Sequence, residues 1–113
     1  MIDPLTQLAN FHNLLGRKLQ STNELREAAR LAHALALSDI DGAGAFLLFG
    51  LYFQNLATLR ERAQGDTEKY DRCIAELIRL IEECLEAIES YDAAELHASL
   101  DSFARTALRF NLP

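Results

Sequence analysis

The chain has 113 residues, 17 acidic and 11 basic side chains, and a formal net charge of −6 at pH 7. Half of it is apolar, with only five Gly and two Pro, which excludes a disordered or collagen-like chain. The length suits one domain with one packed core that needs no disulfide or structural metal.

No block of Lys and Arg accompanies the acidic balance, so no nucleic-acid partner is expected; phosphate backbones are held by clustered cations. An anionic membrane surface is disfavoured for the same reason. The start, MIDPLTQLAN, lacks the basic residues and apolar run of a signal peptide. The longest apolar-rich run, Ala43 to Phe53, is interrupted by Gly44 and Gly50 and falls short of the roughly 20 residues that span a bilayer. The expected location is the cytoplasm.

Apolar residues recur at helical spacing and nowhere alternate as in a half-buried strand. The first helix should begin with Asp3 as N-cap and Pro4 at its first position. Its stripe is Leu5, Leu8, His12, Leu15 and Leu19, flanked by Phe11, which makes His12 a packed core residue. Ser21 to Glu24 spells a capping box, S-x-x-E. The second helix then carries Leu25, Ala28, Ala29, Ala32, Leu35 and Ala36 on one face.

Turn chemistry breaks the pattern from Ser38 to Gly44. A third helix is expected from Asp41 or Gly42. Its first half, Phe46 to Phe53, is apolar on all sides, as in a helix buried by several neighbours. Gly65 should stop it, and Asp66 or Thr67 should cap the fourth.

The fourth helix sets Tyr70, Ile74, Leu77, Ile81, Cys84 and Ile88 at alternating three- and four-residue steps, a coiled-coil-like seam. Its outer face holds Glu82, Glu83, Glu86 and Glu89. A D-x-x-E box at Asp92 and Glu95 opens a fifth helix striped by Leu96, Leu100, Phe103, Ala107 and Phe110. Short connections favour antiparallel neighbours. The expected fold is all-α: a single domain over 1–113, an antiparallel bundle of about five helices with a four-helix-bundle-like core.

Little of the usual catalytic chemistry is present. Cys73 and Cys84 would sit about 16 Å apart on one helix, too far for a disulfide, and read as buried thiols. None of His12, His33 and His97 has Glu three residues before it, and no HExxH occurs, so no metal is expected. No phosphate-binding glycine loop or nucleophile elbow occurs, and no cofactor is expected. Glu83 and Glu86 form E-x-x-E, but the second acidic pair that all-helical nucleotide pyrophosphatases use for Mg²⁺ is missing: Ala98 stands three residues before Asp101.

His33 is the exception. It lies about 80–100° from the centre of the second helix's apolar face, at the boundary between core and solvent. Such an imidazole packs an edge yet shows a nitrogen to water. A phosphoryl acceptor needs that reach, and positive charge for the phosphoryl oxygens. Arg26 and Arg30 are the nearest cations along the helix.

The run Ala32-His33-Ala34-Leu35, the link Gly42-Ala43-Gly44-Ala45 and the apolar helix from Phe46 resemble the histidine-containing phosphotransfer (Hpt) domains of bacterial and eukaryotic phosphorelays. The resemblance covers roughly Leu5 to Ile88. It implies a helical bundle, His33 as the catalytic phosphoacceptor and a response-regulator receiver domain as partner. Two positions depart from the family. Ala36 stands where a Lys neutralises phosphoryl charge, leaving Arg30 as the charge support. Leu37 stands where a Gly keeps the site open, and should crowd His33. The same departures suit a relative of the fold that no longer transfers phosphate.

Composition favours a non-catalytic role: a small acidic helical protein that binds another protein, as adaptors, immunity proteins and secretion chaperones do. Ala87 to Glu95 resembles the helix–turn–helix joints of flagellar chaperones. The candidate partners are a secretion substrate or a second copy of this chain. The expected interaction residues are Phe46, Phe49, Tyr52 and Phe53, from an apolar run that exceeds what one monomer buries.

Overall fold

The computed structural model describes residues 3–19, 21–38, 42–63 and 68–110. Five helices follow one another: α1 Pro4–Gly16, α2 Thr22–Ala36, α3 Ala43–Arg62, α4 Glu68–Glu89 and α5 Ala93–Arg109. The architecture is all-α, with no strand among the described residues. None of these helices is long and apolar enough to cross a membrane.

Local chemistry accounts for most helix ends. Pro4 opens α1 behind Asp3, although the Asp3 side chain makes no capping hydrogen bond. Ser21 Oγ accepts the Glu24 N–H at 3.1 Å, and the Ser21 hydroxyl donates to the Glu24 carboxylate at 3.3 Å. Asp92 Oδ1 accepts the Glu95 N–H at 3.0 Å at the start of α5. Gly42 precedes α3 with φ 82°, a conformation that favours glycine, and a Cβ there would also push aside the end of the Ile88 side chain. At the α4–α5 joint the Tyr91 N–H donates to the Ile88 carbonyl and the Asp92 N–H to the Ala87 carbonyl, a Schellman end. It places Tyr91 at φ 55°, unusual for a bulky residue. The expected start at Asp41, stop at Gly65 and caps at Asp66 or Thr67 lie outside the described residues.

The first helix differs from its expected form. It ends at Gly16, and the next residues turn, with Lys18 at φ 66° and Leu19 at φ 47°. That turn, not a helical stripe, brings Leu19 into the core. The buried side of α1 is Phe11, Leu14 and Leu15, while Leu5 and His12 are exposed. His12 is therefore not a core residue: Phe11 takes the inward position, and the next residue lies about 100° around the helix.

Consecutive helices pack on one another, α2 most extensively on α3 and α4 on α5, with α1 against α2 and α3 against α4. The α2–α3 pair is antiparallel: Arg26 near the start of α2 pairs with Glu61 near the end of α3, while His33 meets Gly50. On α4 the expected seam residues Ile74, Leu77, Ile81 and Cys84 are buried. Cys73, Ile78, Leu80 and Leu85 are buried beside them, because α4 is covered by both α3 and α5. Both cysteines are free, and burial pushes each thiol up to about 11, so they are protonated at neutral pH.

The apolar run of α3 is not covered on all sides. Phe46, Phe49, Phe53, Leu56 and Ala57 face the core, whereas Leu47 and Leu51 are half exposed on the opposite flank. The fully buried Leu77 yields a direct test of the core. Leu77→Ala should cost about 2–5 kcal/mol in chemical denaturation. A loss well under about 1 kcal/mol would show that α4 does not pack as described.

Candidate functional site

His33 occupies the outer edge of the α2–α3 seam and is half buried there. A Cβ built at Gly50 would stand 3.2 Å from Cδ2, 3.2 Å from Nε2 and 3.3 Å from Cε1 of the imidazole. Three adjoining ring atoms at nearly one distance put that point over the face of the ring, not at its edge. The imidazole therefore lies flat on the α3 backbone, which it can do because Gly50 has no side chain. No described residue hydrogen-bonds the ring, and neither nitrogen is sealed from water without a partner.

The surroundings follow from helix geometry. At about 100° per residue, Arg26, Leu37 and Arg30 fall about 20°, 40° and 60° to the solvent side of His33 on α2. On α3, Glu61, Gln54, Leu47 and Leu51 fall about 20°, 40°, 60° and 100° to the solvent side of Gly50. The Arg26–Glu61 ion pair joins these two edges, so both sets belong to one surface.

Near the α2–α3 link this surface is apolar: Leu37 is 91% exposed, Leu47 48% and Leu51 50%. Toward the other end it is charged and already paired. Arg26 holds Glu61, and Arg30 holds Glu27 through two guanidinium nitrogens. The Arg30 contact keeps the Glu27 carboxyl below the usual carboxylate range and raises Arg30 in turn.

Two sequence expectations change here, and a third gains a competitor. Arg30 is near His33 on the helix, and its guanidinium is bound by Glu27 in an exposed pair with which a phosphoryl group would have to compete. Leu37 does not crowd His33; it caps α2 and stands in solvent. Phe46, Phe49 and Phe53 are core residues with exposures of 1% or less, and Tyr52 is half buried with its ring 5.3 Å from Phe103. A helix that commits these phenylalanines inward cannot offer them on the α2–α3 face; Leu47 and Leu51 take their place on that surface.

Gly50 is the residue that sequence reasoning passed over, and its signal was present. A glycine inside a long helix costs about 1 kcal/mol relative to alanine, which marks a close approach of another group. Elsewhere, His97 is exposed on α5, and the Glu83 carboxylate is bound by Arg79 at 3.0 Å. No three His, Cys, Asp or Glu side chains converge on a common point among the described residues. Comparison with known proteins returns no matching family model, no matching curated protein and no matching solved structure.

Gly50→Ala tests the seat of His33. The new methyl must push the ring outward by a few tenths of an ångström. The His33 ring proton shifts should change and its carbethoxylation by diethyl pyrocarbonate should speed up. Stability should move by under about 1 kcal/mol, because the helix gain from alanine opposes the contact. Unchanged shifts and rate would mean that the ring does not rest on Gly50.

Proposed function

We propose that this protein is a non-enzymatic protein-binding module whose docking face is the outer edge of the α2–α3 seam. One observation carries the reading: Leu37, Leu47 and Leu51 stand exposed around a half-buried histidine, on a surface whose neighbouring charges are paired with each other. An apolar patch with a polar rim is the usual form of a contact surface. The rim pairs need no partner charge, so binding there rests on leucine burial.

The test is a pair of substitutions that spare the core. Leu47→Glu with Leu51→Glu alters half-exposed positions and should leave the fold intact by circular dichroism. The wild-type chain, purified from its native host, should carry a stoichiometric partner that the double variant loses. A partner retained by the variant, or a wild-type chain that is monomeric and alone, would overturn the reading.

A second reading has its own support. The imidazole of His33 rests face-on against a glycine and has no hydrogen-bonding partner among the described residues. With the Hpt resemblance, that favours His33 as acceptor of a phosphoryl group, the docked protein then being a receiver domain. Incubation with a phosphorylated receiver domain should leave an acid-labile, base-stable phosphate that His33→Gln abolishes. No label, or label that survives the substitution, removes this reading and leaves the first untouched.

A further inference from the structure

A second surface lies away from His33. Between α1 and the end of α4 runs a groove of about 380 Å³, floored by Leu8, Phe46, Leu85 and Ile88, with Leu5 and Tyr91 as its exposed lips. A shallower hollow of about 200 Å³ continues it across Ile88 and Tyr91 toward Asp92 and the start of α5. The two share Ile88 and Tyr91, so together they form one elongated feature.

Glu89 and His12 line the groove and Asp92 the hollow beyond it, while no Lys or Arg lines either among the described residues, so the formal charge at pH 7 is negative. Glu82, two turns earlier on α4, falls about 20° around the helix from Glu89 and extends the same wall. Neither Glu82 nor Glu89 has a cation within ion-pair distance among the described residues, although Arg79 binds both Glu76 and Glu83 nearby. An apolar trough beside unpaired carboxylates is complementary to a helix with an apolar stripe and cations next to it.

We propose that this groove docks an amphipathic helix of a partner protein that carries apolar side chains at i, i+3 and i+4 spacing, flanked by Lys or Arg. The apolar stripe covers Leu8, Phe46, Leu85 and Ile88, and the cations meet Glu82 and Glu89. His33 and the leucine rim take no part, so this proposal stands or falls separately from the docking face on α2–α3.

The probe is a fluorescein-labelled 18-residue Leu/Lys peptide with a helical apolar stripe, titrated against the intact protein by anisotropy and by amide chemical-shift mapping. A scrambled peptide of the same composition is the control. The striped peptide should bind and shift the amides of Leu5, Leu8, Ile88 and Tyr91. Glu82→Lys with Glu89→Lys should weaken it at least tenfold, as should Leu5→Ser. His33→Gln should leave it unchanged. All of these substitutions fall outside the fully buried core, and circular dichroism confirms the fold of each variant. Equal binding of the scrambled peptide would reduce the effect to charge attraction and overturn the proposal. So would shifts confined to Leu37, Leu47 and Leu51, no binding at all, or a groove filled by a second copy, seen as a dimer that Leu5→Ser dissociates.

Discussion

Five phenylalanine rings meet at the centre of the bundle, and α3 supplies three of them. Phe46 stands edge-on to Phe11 of α1 at 5.8 Å between centroids, and Phe49 lies 5.3 Å from Phe103 of α5. Such pairs contribute about 0.5–1.5 kcal/mol each beyond the area they bury. A helix is rigid about its own axis, so this commitment determines what every other α3 residue faces. With Phe46, Phe49 and Phe53 inward, Gly50 falls on the seam with α2, and Leu47 and Leu51 fall on the outer flank. The exposed leucines are therefore a consequence of packing the phenylalanines.

The same constraint seats His33. Its ring needs a flat, uncluttered stretch of α3 at its own level, and the antiparallel register supplies Gly50 there. A larger residue would push the imidazole away from the seam. The imidazole nitrogens then keep access to water among leucines, with Arg26 and Arg30 paired to Glu61 and Glu27. Surface pairs of this kind add little stability, so they hold their cations only weakly. Contact through leucine burial does not need these cations, whereas a phosphoryl group would have to draw Arg26 or Arg30 out of its pair.

Much of the fold was legible because helices announce themselves locally. The Ser21 and Asp92 N-caps lie where the sequence places them, and the α4 seam from Ile74 to Cys84 is buried. The misreadings came from judging burial without knowing a helix's neighbours. His12 shares a stripe with leucines, but α1 buries a narrow side centred on Phe11. Leu19 is in the core, yet it arrives through a left-handed turn that periodicity does not reveal. The candidate site was legible at His33, placed at a boundary by angle alone. Its companions Gly50, Leu47 and Leu51 belong to another helix, and nothing local to α2 names them.

The net charge of −6 places the chain among acidic proteins, and half-apolar composition with helical periodicity makes it a helical bundle. These properties are sums over residues or patterns along one helix, so sequence alone determines them. Which carboxylates are paired, which wall of a groove they form and which leucines stay outside depend on the rotation of each helix against its neighbours. The phenylalanine core decides that rotation, and it exists only once α1, α3 and α5 have met.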